Sequence, residues 1–159
     1  MAARKPERVL EITRTFDAPR ALVFAAWTQP RHLAQWSGPR GFTASQDYMD
    51  LRPGGAYRAC LKAPDGTEHW VRGVYREVVE PERLVFTHAW EREDGKPGPE
   101  TVVTVTFAER GRRTEMTFHQ AVFESVEARD GHRGGWSSSL DRLAEYLGTL
   151  PWPEPFPTP

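Results

Sequence analysis

The sequence has only one cysteine and no long apolar run, and both absences narrow what the protein can be. Cys60 has no partner in the 159-residue chain, which excludes an internal disulfide framework and a zinc site built from several cysteines. No apolar stretch reaches the about 18 residues that a membrane-spanning helix needs. Residues 1–8 are partly basic and contain no apolar core, so we expect no signal peptide. These features predict a cytoplasmic protein without membrane insertion.

An excess of basic charge is also missing. The chain carries 21 basic and 22 acidic residues, spread along its length, for a formal net charge of −1. Binding to nucleic acid requires a basic stripe that neutralises phosphates, so nucleic acid is not an expected partner.

Motifs for catalysis and for cofactor binding are absent as well. The sequence contains no phosphate-binding loop, dinucleotide-binding turn, His-Glu-x-x-His or Gly-x-Ser-x-Gly. Its histidines are never three or four residues apart, so no helix presents a pair of metal ligands. The sequence therefore predicts no metal, no cofactor and no catalytic residue, and it favours binding over catalysis.

A helix is predicted near the C-terminus, over residues 133–147. Its apolar stripe is formed by Trp136, Leu140, Leu143, Ala144 and Leu147. Gly148 and Pro151 are stop signals for this helix. Gly134 and Gly135 predict a helix break, or a place where the backbone comes close to a sheet, because glycine is unfavourable inside a helix.

Short strands are predicted from Phe42 to Ala121. Turn signals centred on glycine or proline recur at 53–55, 64–66, 80–82, 94–99 and 110–112. They predict six strands in an antiparallel meander, and a further strand over 8–16 brings the sheet to about seven strands. After the first strand, two short helices are predicted over 18–27 and 30–36, the first capped by Asp17. The predicted fold class is α+β, with a curved antiparallel sheet gripping a long C-terminal helix.

Alternation along the strands indicates which side chains face the helix. Leu84, Phe86, His88 and Trp90 share one side of their strand, whereas Thr87 belongs to the opposite, water-facing side. His88 is either a core histidine satisfied by one hydrogen bond or a polar group in an apolar cavity. The expected strand pairing brings Gln120 to the same end of the concave face.

A gap between helix and sheet would be lined by these polar groups and by nearby aromatic side chains. The predicted ligand-binding residues are Trp36, Tyr57, Tyr75, His88, Trp90, Gln120, Trp136 and Leu140. The predicted ligand is a small hydrophobic or aromatic molecule.

The order and spacing of several short motifs resemble a known family. The motifs are Phe16-Asp-Ala-Pro19, Trp36-Ser-Gly-Pro39, Asp50-Leu-Arg-Pro-Gly-Gly55, Gly73-Val-Tyr-Arg-Glu77, Pro81-Glu-Arg-Leu-Val-Phe86 and Gly135-Trp-Ser-Ser-Ser-Leu-Asp-Arg-Leu143. Over about residues 8–148 the chain resembles the Hsp-90 ATPase activator homologue family of the START-like (SRPBCC) superfamily. The resemblance implies a helix-grip fold with a hydrophobic cavity and carries over no shared catalytic residue.

Three functions therefore stay open at the level of sequence. The first is binding of a small hydrophobic molecule, and the second is an enzyme of the cyclase or dehydratase type that uses the same cavity. The third is a chaperone adaptor that activates the Hsp-90 ATPase, although we expect this chain to lack the N-terminal domain that the co-chaperone activators have. A homodimer also stays open. We expect one START-like domain over 1–150 and a proline-rich tail over 151–159.

Overall fold

The computed structural model of the chain describes residues 5–151. After a 3-10 turn at Lys5–Arg8, seven strands form one sheet. They are β1 (Leu10–Phe16), β2 (Thr43–Met49), β3 (Ala56–Lys62), β4 (Glu68–Val79), β5 (Arg83–Trp90), β6 (Thr101–Arg110) and β7 (Arg113–Ala121). The proline-rich tail predicted over 151–159 lies outside the described residues, except for Pro151.

The strands are antiparallel and follow the order β1-β7-β6-β5-β4-β3-β2. Each hairpin from β2 to β7 turns where glycine or proline signals predicted a turn. The meander and the α+β class are therefore confirmed. No helix among residues 5–151 is long and apolar enough to cross a membrane.

Two short helices, α1 (Arg20–Thr28) and α2 (Pro30–Trp36), follow β1 as predicted. The predicted cap is wrong, because Pro19 is the N-cap of α1 and no side chain caps it. Asp17 is exposed and lies near Arg113 instead.

The long helix α3 (Val126–Leu147) begins well before the predicted start at residue 133. Ser125 is its N-cap, and the Ser125 hydroxyl accepts a hydrogen bond of 3.0 Å from the backbone N–H of Ala128. A serine preceding the helix was the available sequence signal for this start.

Gly134 and Gly135 lie inside α3, so the predicted helix break is wrong. They also mark no close approach, since a Cβ at Gly134 would meet no atom within 4 Å and one at Gly135 would only touch Pro39 at 3.9 Å. The predicted stripe is right for Leu140, Leu143 and Leu147, which are buried, and wrong for Ala144, which is exposed. The side of the helix that faces the sheet is already filled by Trp136, Leu140, Leu143 and Leu147, which are spaced by three and four residues.

A close approach does occur at Gly73, in β4. Gly73 pairs with Tyr57 of β3, and a Cβ at Gly73 would lie 1.9 Å from the backbone oxygen of Thr87 and 2.7 Å from the Tyr57 ring. Without that Cβ, the Tyr57 ring crosses β4 and its hydroxyl donates a 2.6 Å hydrogen bond to the Thr87 oxygen on β5. Three strands are tied together in this way.

Thr87 was predicted on the water-facing side, and the structure buries it. Its hydroxyl accepts a 2.8 Å hydrogen bond from the backbone N–H of Val74, next to Gly73. The burial therefore follows from the tight packing of β4 against β5, which the alternation pattern does not encode.

The two glycine environments give the first prediction. Gly134→Ala should raise the free energy of unfolding by about 0.4–1 kcal/mol, because alanine favours the helix and has room here. Gly73→Ala, the same change at the close approach, should strongly destabilise the protein. Urea denaturation measures both. A loss of stability in Gly134→Ala would contradict this account of α3.

Candidate ligand-binding site

A cavity of about 500 Å³ lies between the sheet and the first half of α3. Its floor comes from β2, β3, β4 and β5, and its walls come from α1, α2, the segment 37–42 and α3. The strands β1, β6 and β7 contribute no lining residue. The volume is in the range of small-molecule binding pockets.

The structure brings most of the predicted site residues together. Those that line the cavity are Trp36, Tyr57, Tyr75, His88, Trp90 and Trp136. Gln120 and Leu140 do not line it. Leu140 is fully buried in the packed core with Leu143 and Leu147, one turn of α3 beyond Trp136. One helical turn advances about 5.4 Å, enough here to pass from the cavity into the core.

Gln120 supports the wall from behind. Its side chain is fully buried, donates 2.8 Å to the Thr101 hydroxyl, and accepts 2.9 Å from the indole N–H of Trp136. The Thr101 hydroxyl in turn donates to the backbone oxygen of His88. Gln120 thus links α3 to β5 through β6.

Trp136 separates the cavity from the core. Its ring stacks on Trp27 at 5.8 Å between centroids and packs on Phe118 at 4.6 Å. Towards the cavity it faces His88, with centroids 6.2 Å apart. The hydrogen bond from its indole N–H to Gln120 and the ring contacts on its faces together fix the orientation of the ring.

His88 is buried, and its imidazole makes no hydrogen bond to another of the described residues. Burial, and to a smaller degree the neighbouring His132, lower the pKa of His88 from 6.5 to about 3. His88 is therefore neutral at pH 7, with one ring nitrogen as a hydrogen-bond donor and the other as an acceptor.

His132 is a wall residue that the sequence analysis missed. Its Nε2 accepts a 3.0 Å hydrogen bond from the indole N–H of Trp90, and its Nδ1 lies 2.8 Å from the backbone oxygen of Ala128. The two contacts together fix the neutral tautomer with the proton on Nδ1. Since His132 precedes the predicted start of α3, its position on the helix face was not predicted.

The segment 37–39, which forms part of the rim, is fastened to the second half of α3. Arg142 donates from Nη1 to the backbone oxygens of Ser37, Gly38 and Pro39, at 2.8–3.2 Å. The Ser139 hydroxyl donates to the backbone oxygen of Trp36. These contacts hold the rim in place independently of the cavity contents.

The wall contains no Asp, Glu, Lys or Arg among the described residues. Aromatic and aliphatic side chains dominate it, with His69 and Gln46 towards its exposed end. Residues 5–151 contain no group of three or more His, Cys, Asp or Glu side chains that could hold a metal ion.

A long helix held against a curved antiparallel sheet, with a cavity between them, defines a helix-grip protein of the START-like superfamily. The chain belongs to the family described as "Activator of Hsp90 ATPase homolog 1-like protein", whose model matches residues 17–148. Among curated protein sequences, none is significantly similar to it.

Solved structures share this fold. A Chromobacterium violaceum protein is 27% identical, with a TM-score of 0.81 over 88% of this chain and 96% of its own. An Arthrobacter aurescens protein is 26% identical, with a TM-score of 0.84 over 94% of this chain and 91% of its own. The AHSA1 protein of Silicibacter pomeroyi is 27% identical, with a TM-score of 0.80 over 88% and 97%.

The lowered pKa of His88 gives a second prediction. Between pH 6.5 and about pH 3 the unfolded chain protonates this histidine and the folded protein does not, so the free energy of unfolding falls as the pH falls. His88→Gln should make that dependence shallower, as measured by urea denaturation from pH 7 to pH 4. Burial also lowers the pKa of His32, which is present in both proteins. Identical slopes would show that His88 titrates normally.

Proposed function

We propose that this protein binds a small hydrophobic or aromatic molecule in the cavity between α3 and the sheet. The observation that carries the proposal is the apolar wall of a cavity of about 500 Å³, which contains no ionised side chain among the described residues. Such a wall suits an apolar ligand, because the transfer of apolar surface out of water is favourable by about 25 cal/mol per Å².

The uneven packing of the sheet supports the same proposal. Over β1, β6 and β7 the concave face is filled by side chains such as Phe107, Met116 and Phe118, which are almost completely buried. Protein interiors are normally close-packed in this way throughout. Over β2 to β5 the same face is left open, although aromatic side chains are present there.

Catalysis of the cyclase or dehydratase type fits the cavity less well. A general acid or base works best with a pKa near the working pH. His88, with a pKa of about 3, is a weak base, and the described wall offers no carboxylate to orient it. The position of His88 on the cavity wall is the one feature that such an enzyme would share, so turnover is a worthwhile assay once a ligand is known.

Binding of the apolar dye Nile red tests the proposal. The dye should bind with a rise in its fluorescence, and Ala59→Phe should abolish the rise, because Ala59 lines the cavity and the added ring would occupy it. Val74→Phe is the matched control, since it adds the same ring at an exposed position outside the cavity. Circular dichroism checks that each variant is folded.

Failure of Nile red to bind the wild-type protein would contradict the proposal. Equal binding by wild type and folded Ala59→Phe would place the dye elsewhere and would contradict it too. Leu61→Trp fills the cavity from a half-buried position and serves if Ala59→Phe does not fold.

Activation of an Hsp90 ATPase is the second candidate, and the description of the family favours it. Contact with a chaperone would need an exposed surface such as the outer side of the sheet, where Tyr48 and Val74 are exposed. Under the binding proposal, adding this protein to an Hsp90 chaperone should leave the rate of ATP hydrolysis unchanged. A rise in that rate that Val74→Glu removes would support the chaperone function instead.

A further inference from the structure

Most polar atoms of the cavity wall already have protein partners. The hydroxyl of Tyr57 and the indole N–H groups of Trp90 and Trp136 each donate to an acceptor within the protein. Both ring nitrogens of His132 are engaged as well. These groups orient the wall and are not free to bind a ligand.

Two buried side chains of the wall are exceptions, besides Gln46 towards the exposed end, whose Oε1 has no partner either. Neither the imidazole of His88 nor the hydroxyl of Tyr75 hydrogen-bonds to another of the described residues. Both side chains line the cavity, so a molecule bound there would lie beside them. The indole N–H of Trp27 is also unpaired, but it is completely covered.

Tyr75 and His88 lie on the same face of two neighbouring strands of the floor. Tyr75 of β4 pairs with Phe86 of β5, and His88 lies two residues further along β5 on the same face. Two residues along a strand span about 6.8 Å and neighbouring strands lie about 4.8 Å apart, so the two Cα atoms are about 8 Å apart. Two side chains at that spacing on one face can both reach a polar substituent that lies between them, while the rest of the ligand contacts aromatic rings.

Charge limits the ligand further. A carboxylate or phosphate buried here would have no lysine or arginine of the described wall beside it, and a buried charge without a partner is strongly unfavourable. A cation would have no carboxylate, although aromatic faces attract cations weakly. An uncharged polar group can be buried here without the energetic cost of an unpaired anion or an unpaired cation.

We propose that the cavity selects an uncharged aromatic molecule bearing a hydroxyl group, which hydrogen-bonds to the imidazole of His88 and the hydroxyl of Tyr75. This inference rests on the proposed function, and it names the chemical class of the ligand.

Four probes with the same ring system test it by displacement of Nile red: naphthalene, 2-naphthol, 2-naphthoate and 2-naphthylmethylammonium. 2-Naphthol should bind about threefold to tenfold more tightly than naphthalene, the gain that one net hydrogen bond provides. The anion and the cation should both bind more weakly than 2-naphthol.

Two variants show whether the named groups make the difference. His88→Leu and Tyr75→Phe, which keeps the ring, should each reduce the preference for 2-naphthol, and the double variant should bring 2-naphthol and naphthalene to equal affinity. Leu84→Ala is the control, since it enlarges an apolar part of the wall and should leave the preference for 2-naphthol intact.

The outcomes separate this inference from the proposed function. Equal binding of naphthalene and 2-naphthol by the wild type would overturn the inference and leave an apolar binding site standing. Tightest binding of 2-naphthoate or of the ammonium probe would overturn the argument from charge. Absence of all binding, including that of Nile red, would overturn the proposed function and the inference with it.

Discussion

The contacts of one indole ring, that of Trp136, divide the concave face of the sheet. The ring packs on Phe118 of the core and on Trp27, which also lines the cavity, and it faces His88 of the cavity floor. The hydrogen bond from its N–H to the buried oxygen of Gln120 stops it from tilting into either space. Because a buried amide would be costly to leave unpaired, this bond also holds α3 at a fixed distance from β7.

The division gives α3 two different tasks. Its second half buries Leu140, Leu143 and Leu147 and is tied to β1 by the ion pair of Arg14 with Asp141. That half provides the stability of the grip. Its first half contributes His132 and Gly135 to the wall and leaves the floor of β2 to β5 uncovered. Stability and a binding space are thus provided by different turns of the same helix.

Much of the fold could be predicted because it depends on local patterns. The turns, the order of β2 to β7 and the phase of Leu84, Phe86, His88 and Trp90 follow from glycine, proline and alternation, whereas the place of β1 beside β7 was not predicted. The boundary between core and cavity could not be predicted, since it depends on how α3 lies over strands that are distant in sequence. Leu140 and Trp136 share a helix face, and only the three-dimensional packing puts Trp136 on the cavity wall and Leu140 in the core. His132 was missed for a related reason, because the helix was predicted to begin after it.

Nuclear magnetic resonance of the tryptophan indole N–H groups tests the central claim most directly. Trp90 and Trp136 line the cavity, whereas Trp70 lies outside it, beneath the guanidinium of Arg58. Addition of 2-naphthol should shift the indole signals of Trp90 and Trp136 and leave that of Trp70 in place. Unchanged signals from Trp90 and Trp136 at saturating 2-naphthol, or a shift confined to Trp70, would contradict binding between α3 and the sheet.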